Sequence, residues 1–381
     1  MIDRAGPGDA LRAAVYEFHF PRVLDAFRAA VDRGVDVRIV MDAKRQGRRN
    51  PETGAPVEDF PREANLRTVA AAGLEAQVTL REANRHDIAH NKFVVHLREG
   101  QPVSVWTGST NVSQGGIFGQ SNVGHLVRNP AVATRYLAYW EQLEADPLRP
   151  GLRAWNELAA LPAGKPAKGI TTVFSPRGSL AALDWYAELM DRAERSVFLT
   201  AAFGIGGPIE AVLLKEVDYL RYGLLERSDD KMELLKRDHD NVFTVATRIR
   251  RAIGGWAEET LADLNSHVHF VHTKFLLIDP LSEDPIVVTG SANFSAASTN
   301  ENDENMLVIC GNTRVADVYL TEFMRLFNHF EFRERVQADQ AGGRGPELAG
   351  GRSSAAAMGK ATMASGEPTT QRRFHLDPEP G

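Results

Sequence analysis

Two short histidine–lysine motifs occur in the sequence, and each is followed by a glycine–serine turn and an asparagine. The residues of the two copies are His90, Lys92, Gly108, Ser109 and Asn111, and His272, Lys274, Gly290, Ser291 and Asn293. In both copies the glycine follows the histidine by 18 residues and the asparagine follows it by 21. Each motif alone is common by chance, but two copies with identical internal spacing indicate a duplicated functional unit.

These residue types suit chemistry on a phosphodiester, provided that the two copies converge. A neutral imidazole can attack phosphorus, and a protonated imidazole opposite can give its proton to the leaving oxygen. Two ammonium groups and two carboxamides can hold the phosphoryl oxygens as charge develops. We therefore expect both histidines, both lysines and both asparagines in one shared site. Because the lysines supply the positive charge, we expect no metal ion and no cofactor.

The segments around the motifs indicate the elements that must position them. Each histidine and lysine lies in or beside an apolar run typical of a buried strand, on which alternate side chains project to the same face. Strand and helix patterns alternate before the motifs, and an amphipathic helix closes each half, over residues 132–143 and 315–330. This pattern predicts an α/β fold of two similar α/β/α sandwich halves, related by a pseudo-two-fold axis.

Breaker-rich segments predict the domain boundaries. We expect a first half over residues 1–146, a proline-rich linker over 147–168, a second half over 169–340 and a disordered tail over 341–381. The tail is rich in Gly, Ala, Ser and Pro and has too few large apolar residues to offset its ordering entropy. The second half has a predicted strand and helix over 171–195 for which the first half has no counterpart.

Composition excludes several classes of protein. The chain has 381 residues, 43% of them hydrophobic and 25% charged, as in ordinary globular proteins. Its one cysteine excludes a disulfide framework and a cysteine-based zinc site within one chain. The net charge of −6 gives no global basic field for nucleic acid. No signal region is visible, and the sequence assigns the protein to no compartment. No stretch approaches 18 apolar residues, so no membrane-spanning segment is expected.

The paired motifs resemble the H-x-K-x4-D and glycine–serine–asparagine motifs of the phospholipase D superfamily. The resemblance covers roughly residues 10–335. The second copy is complete and includes Asp279 and, further on, Glu304. In the first copy Leu97 stands at the position of the motif Asp, and Gln120 occupies the approximate place of Glu304. The resemblance implies supporting roles for Ser109, Ser291, Asp279, Glu304 and Gln120, with the motif Asp mainly structural.

The resemblance also implies a phosphodiesterase, and phospholipid hydrolysis through a covalent phosphohistidine is our first expectation. Phosphatidate and a head-group alcohol would be the products, and the protein would contact a membrane peripherally. A metal-independent nuclease of the same superfamily is the alternative enzyme, which the acidic net charge disfavours. A catalytically inactive binding protein is the alternative from another class. Cardiolipin synthesis is disfavoured because no membrane-spanning segment is predicted.

The two histidines are expected to have different roles. A nearby carboxylate favours an imidazolium ion. If each half's groups lie beside their own histidine, Glu304 and Asp279 make His272 the better acid and leave His90 as the nucleophile. The order of motifs in the superfamily implies the same assignment. If instead the carboxylate reaches across the pseudo-two-fold axis, this electrostatic argument reverses.

Overall fold

The computed structural model describes residues 1–341 except 48, 51–52, 56, 84–86, 229 and 248–267. The first half contains β1 (Asp9–Val15), α1 (Pro21–Asp32), β2 (Asp36–Asp42), α2 (Arg62–Ala71), β3 (Val78–Arg81), β4 (Lys92–Arg98), β5 (Gln101–Gly108), β6 (Gly124–Val127) and α3 (Pro130–Glu144). A single π-helical turn, Gly115–Gly119, lies between β5 and β6. Short 3-10 turns lie at Ile2–Arg4 and Glu75–Gln77.

The second half continues the same alternation of strands and helices. Helix α4 (Arg149–Glu157) lies in the connection before it. Its own elements are β7 (Gly169–Ser175), α5 (Ala181–Asp191), β8 (Ser196–Ala201), α6 (Gly207–Leu213), β9 (Leu220–Leu225), α7 (Asp230–Leu235), β10 (Asn241–Val245), β11 (Phe275–Ile278), β12 (Ile286–Gly290), α8 (Ala296–Asn300), β13 (Glu304–Cys310) and α9 (Thr313–Ala341).

The two sheets have the same strand order. The first runs β3-β2-β1-β4-β5-β6 and the second β10-β9-β8-β11-β12-β13, with β7 added beside β13. In both, the first three strands are parallel and the next is antiparallel to its neighbour. Among the described residues the first sheet has no strand equivalent to β7, as the sequence predicted. The fold is therefore two mixed α/β halves of equivalent topology.

The helices form three layers around the two sheets. Helices α1 and α2 cover the outer face of the first sheet, and α5 and α6 cover that of the second. Helices α3 and α9 lie between the sheets, in a core that contains aromatic residues from both halves. Asn129 and Asn312 begin these two helices in the same way, because each side-chain oxygen accepts the backbone N–H three residues later. The predicted closing helices are thus confirmed, and each is longer than predicted.

Backbone contacts join the halves at two equivalent points. The N–H of His90 donates to the carbonyl of Asp303 at 2.9 Å, and the N–H of His272 donates to the carbonyl of Ser121 at 3.1 Å. Each histidine is thereby fixed against the segment that precedes the last strand of the opposite half. The sheets consequently meet at the motif residues.

The segment predicted as a linker contains helix α4, which differs from a purely irregular connection. Pro150 lies in the first turn of this helix, where its missing N–H breaks no hydrogen bond. The boundaries of the two halves and the linker stay predictions. Residues 342–381, most of the predicted tail, lie outside the described residues. No described helix is long and apolar enough to cross a bilayer.

Candidate active site

His90 and His272 lie together where the two sheets meet. Their ring centroids are 6.5 Å apart and their planes are inclined at 79°. Both residues are buried. Each precedes a central strand rather than lying within it, because β4 begins at Lys92 and β11 begins at Phe275. The prediction of a strand for both histidine–lysine pairs was therefore wrong in detail, although the convergence of the two motifs follows from the fold.

Lys92 and Lys274 have equivalent positions beside the histidines. The ammonium of Lys92 donates to the carbonyl of His90 at 2.5 Å, and that of Lys274 donates to the carbonyl of His272 at 2.7 Å. An ammonium has three donors, so each lysine keeps donors for an anion. Burial lowers the pKa of Lys92 to about 7 and the pKa of Lys274 well below its usual value. Burial in the site therefore disfavours the charged form of both lysines, and a bound phosphate would favour it again.

The two histidines have different partners at Nδ1. The carboxylate of Glu304 lies 2.9 Å from Nδ1 of His90, in the opposite half. The oxygen of Asn122 lies 2.9 Å from Nδ1 of His272, again in the opposite half. Of the two arrangements that the sequence left open, the structure has the one in which Glu304 reaches across to His90, so the argument that Glu304 makes His272 the better acid reverses. The cause is the crossing of the halves, since the segment before β13 lies against the residues before β4.

Asn122 is the structural counterpart of Glu304, a role that the sequence interpretation gave to Gln120. The side chain of Gln120 donates instead to the carbonyl of Val268 at 2.9 Å. Spacing alone could have identified Asn122, because it follows Gly108 by 14 residues, as Glu304 follows Gly290. Its NH₂ group donates to the carbonyl of Gly116 at 2.8 Å, which directs its oxygen towards His272.

That orientation sets the tautomer of neutral His272. Because the Asn122 oxygen is an acceptor, Nδ1 of neutral His272 carries the proton and Nε2 carries none. Ser109 also donates to this oxygen, at 2.8 Å. In the second half Ser291 contacts Glu304 and accepts the N–H of Asn305 at 3.0 Å. The two serines thus hold the groups that orient the histidines.

Burial and charge act in opposite directions on the ionisable groups. Burial lowers the pKa of His90 despite the neighbouring Glu304, and burial together with Lys274 and Lys92 lowers that of His272. Burial opposes the charge of Glu304, but His90 and Lys92 outweigh it and hold the pKa of this carboxyl below its usual value. Both imidazoles are therefore neutral at pH 7 in the free protein.

Asn111 and Asn293 provide a matched pair of amides after the glycine–serine turns. Within the described part of the chain, the side-chain oxygen of each is buried without a hydrogen-bond partner. The backbone of Asn111 packs directly on Gly116, where an added Cβ would lie 2.5 Å from the Asn111 carbonyl oxygen. A side chain at position 116 would displace this segment, so glycine is required there.

Asp279 lies outside the site. It follows β11 with a positive φ of 46°, and its carboxylate accepts the backbone N–H groups of residues 194–196 at 2.8–3.0 Å. The carboxylate thus fixes the entry to β8 at the far end of β11. Leu97, its counterpart in sequence, lies at a β-bulge between β4 and β5 and is buried. These contacts agree with a structural role for Asp279. They do not agree with a position of Asp279 beside the histidines.

The sequence interpretation also missed residues that contact the motif from other strands. The ring of Tyr16 lies 4.9 Å from that of His90 and 5.1 Å from the ammonium of Lys92. Asp42 and Glu226 accept backbone N–H groups just before the two histidines. No local motif marks these residues, because their proximity depends on strand order.

One group of side chains in the described residues could share a metal ion, and it lies elsewhere. Glu216, His239 and Asp240 cluster near the amino ends of β9 and β10, at the opposite end of the sheet from His272. Two of the three are exposed. The histidine site is built of imidazoles, ammonium groups and amides, which is a donor set for an anion.

Several solved structures match the fold of this chain. A phosphatidylserine synthase from Haemophilus influenzae Rd KW20 matches with 11% identity and a TM-score of 0.51, over 86% of this chain and 82% of that one. At this identity the match shows the fold alone. Polyphosphate kinase from Porphyromonas gingivalis matches with 12% identity and a TM-score of 0.48, over 79% of this chain and 43% of the kinase. This chain therefore spans less than half of the kinase.

Nuc from Salmonella typhimurium, a phospholipase D family member, matches with 20% identity and a TM-score of 0.31. The match covers 42% of this chain and 93% of Nuc. The comparison with curated proteins gives no match.

A family model supplies the sequence-level comparison. The model, described as "Cardiolipin synthase, PLD-like domain", matches residues 1–144 and 233–327. These ranges make up more than half of the chain and contain both histidine–lysine motifs. The chain therefore belongs to the phospholipase D superfamily.

Proposed function

We propose that this protein hydrolyses phospholipids at the head-group diester bond, releasing phosphatidate and a head-group alcohol through a covalent intermediate on His90. The observation that carries the proposal is the pair of buried imidazoles, 6.5 Å apart, each with its own lysine. A phosphoryl group between the rings would meet a nucleophile on one side and a proton donor on the other.

In the first step Nε2 of His90 attacks phosphorus, and the bond from phosphorus to the head-group oxygen breaks. His272, protonated once the anionic phosphate is bound, gives its Nε2 proton to that oxygen. Lys92, Lys274 and the amides of the two motif asparagines hold the remaining phosphoryl oxygens. The alcohol leaves, and the phosphatidyl group stays on His90.

In the second step the neutral His272 accepts a proton from water as the water oxygen attacks phosphorus. The bond between phosphorus and Nε2 of His90 breaks, phosphatidate leaves, and His272 is again protonated. An alcohol in place of water would give head-group exchange by the same step.

The partners at Nδ1 support His90 as the nucleophile. Phosphorylation at Nε2 with a proton on Nδ1 makes a cationic ring, and the adjacent Glu304 carboxylate stabilises that charge. Asn122 offers His272 a neutral acceptor, so His272 releases its proton more readily. Before phosphorylation the same carboxylate favours the imidazolium of His90, but burial outweighs it and keeps this ring neutral and nucleophilic.

Exposed aromatic residues beside the site favour a lipid over a nucleic acid. Phe118 is 63% exposed on the π-helical turn that packs against Asn111, and Phe203 is 44% exposed just beyond β8. A cavity of about 290 Å³ lies beside Phe203, at the carboxyl ends of β8 and β9, and most residues that line it are apolar. Such surfaces accept acyl chains more readily than a phosphate backbone.

Parallel assays on three substrates test the proposal. Phosphatidylcholine vesicles, single-stranded DNA and the soluble diester bis(4-nitrophenyl) phosphate should be compared at one protein concentration. We expect release of choline from the vesicles, release of nitrophenolate from the soluble diester and little cleavage of DNA. Preferred cleavage of DNA would support the nuclease instead, and no turnover of any substrate would support an inactive binding protein.

Phe118→Ser tests the lipid surface separately from the chemistry. This change should lower vesicle hydrolysis several-fold and leave hydrolysis of the soluble diester unchanged. Leu281→Ser is the matched control, because Leu281 is 72% exposed in the turn after β11, at the opposite end of the sheet. Equal effects of the two changes on vesicles would contradict the assigned surface.

A further inference from the structure

Two buried carboxylates occupy equivalent positions one strand away from the histidines. Asp42 ends β2, and Glu226 directly follows β9. In each sheet one strand, β1 or β8, separates that carboxylate from the strand that follows the histidine. Asp42 is 1% exposed and Glu226 is 4% exposed. Burial at such positions is costly for a carboxylate unless hydrogen bonds compensate it.

Both carboxylates accept backbone N–H groups immediately before a histidine. In the first half, Oδ1 of Asp42 accepts the N–H of Ala89 at 2.7 Å. In the second half, the carboxylate of Glu226 accepts the N–H groups of His269, Phe270 and Val271, the closest at 2.6 and 2.7 Å. The residue before each histidine is therefore tied to a carboxylate of its own half.

The next N–H along each chain is tied to the opposite half. The backbone N–H of His90 donates to Asp303, and that of His272 donates to Ser121. The N–H before each histidine is thus bound by a carboxylate of the same half, and the N–H of the histidine itself is bound by a carbonyl of the opposite half. Two consecutive fixed peptide groups determine where the Cα–Cβ bond of the histidine points.

We propose that Asp42 and Glu226 are positioning residues. Each holds the backbone before its own histidine in the position and orientation that direct this imidazole towards the imidazole of the other half. The proposal rests on the proposed function, since it assigns these residues to the two-histidine reaction. An amide in place of either carboxylate would keep the shape and one acceptor oxygen. Its NH₂ group would oppose the backbone N–H at the other oxygen, which beside Asp42 is that of Lys44 or of Ala89 and beside Glu226 is one of its three donors. The effect should be larger for Glu226, which holds three donors.

The experiment uses Glu226→Gln and Asp42→Asn, with Glu334→Gln as the matched control. Glu334 is a half-buried carboxylate that also accepts a backbone N–H, that of Val245 at 3.1 Å, on the far side of β9 from the site. With bis(4-nitrophenyl) phosphate we expect Glu226→Gln to lower kcat roughly 10²-fold and Asp42→Asn roughly 10-fold, by analogy with misplaced catalytic groups. KM should change little, and the control should keep the native kcat.

Histidine NMR separates this proposal from the proposed function, because it needs no turnover. In protein labelled with ¹⁵N-histidine, Glu226→Gln should shift the imidazole signals of His272 and leave those of His90, and Asp42→Asn should do the reverse. If Glu226→Gln fails to fold, Glu226→Asp, which keeps the charge but shortens the side chain, replaces it with the same expected pattern.

Two results would overturn the proposal. One is a variant with a lowered Tm but native kcat per folded molecule, which would indicate a purely structural role. The other is histidine signals that move together, or not at all, in both variants. If the native protein turns over no diester while the NMR pattern appears, the proposed function fails and the positioning of the histidines stands.

Discussion

At the scale of residues, the main asymmetry of the site is a carboxylate on one histidine and an amide on the other. Glu304 and Asn122 occupy equivalent positions, yet only Glu304 can stabilise a cationic ring at full charge. The backbone around the two histidines is otherwise closely matched. We attribute the difference in the chemical roles of the histidines to these two side chains, with Tyr16 as a further neighbour of His90.

Replacement of Glu304 tests that asymmetry. Glu304→Gln keeps a hydrogen bond to His90 but removes the charge that would stabilise the phosphorylated ring. We expect kcat on the soluble diester to fall about 10²–10⁴-fold with little change in KM, as for other carboxylate–histidine pairs. Steady-state kinetics with thermal unfolding as a folding control would measure this. A native kcat would show that the carboxylate does not act on the reacting ring.

The buried lysines predict an alkaline limit to activity. Burial lowers the pKa of Lys92 to about 7, so this ammonium loses its proton as the pH rises through that value. Because kcat/KM reports the free protein, it should decline above about pH 7. Bound phosphate favours the ammonium, so its pKa rises in the complex and kcat should decline only at higher pH.

A pH profile on the soluble diester measures both limits. Lys92→Arg supplies the control, since a guanidinium stays charged over this range: the part of the decline in kcat/KM that Lys92 causes should disappear, and only the part that Lys274 causes should remain. A kcat/KM that is flat from about pH 6 to about pH 9 would contradict the assignment of a deprotonating Lys92.

At the scale of elements, the segment 302–305 before and at the start of β13 joins the halves. Arg81 donates to the carboxylate of Asp303 at 2.9 Å, and both side chains are buried. Asn305 donates to Asn91 at 2.8 Å and accepts from Thr107 at 2.6 Å. The segment that carries Glu304 is therefore fixed on both sides by contacts with the first half.

Asp303→Asn should destabilise the protein strongly, because it leaves the buried guanidinium of Arg81 without one of its carboxylate partners. We expect a loss of about 3–5 kcal/mol in the free energy of unfolding, as for other broken buried ion pairs. Urea denaturation would measure it. Asp284→Asn is the control: Asp284 is a partly exposed partner of Lys168, and its replacement should change little. Equal stabilities of the two variants would contradict this role of Asp303.

The sequence predicted some of these elements and could not predict others. The alternation of strands and helices, the duplication and the closing helices are local patterns, and the fold class followed from them. The meeting of Glu304 with His90 is a long-range contact. It depends on which half lies against the segment before β13, and no spacing within one half contains that information. Asp42 and Glu226 were missed for the same reason.

At the scale of the whole molecule, α9 extends the ordered chain further than the periodicity of the sequence indicated. It continues to Ala341, with Val336 buried and Glu334 bonded to Thr244. A chain cut near residue 336 would therefore lose part of a packed helix. The composition of the tail predicts little burial beyond this helix.

Removal of residues 342–381 should leave stability unchanged. We expect the shortened protein to have the Tm of the full chain and the same activity on the soluble diester, because few large apolar side chains are removed. Differential scanning calorimetry would measure the Tm. A clear drop in Tm would show that the tail packs on the two halves.

The central claim is that both halves contribute one histidine to a single site, with His90 as the nucleophile. Trapping the intermediate tests it most directly. In His272→Ala, bis(4-nitrophenyl) phosphate should still react, because nitrophenolate leaves without a proton donor, but hydrolysis of the intermediate lacks its base. After an alkaline quench and peptide mapping, we predict one nitrophenolate per protein and the phosphoryl group on His90, with neither in His90→Ala. A phosphoryl group on any other residue, or none in His272→Ala, would contradict the account.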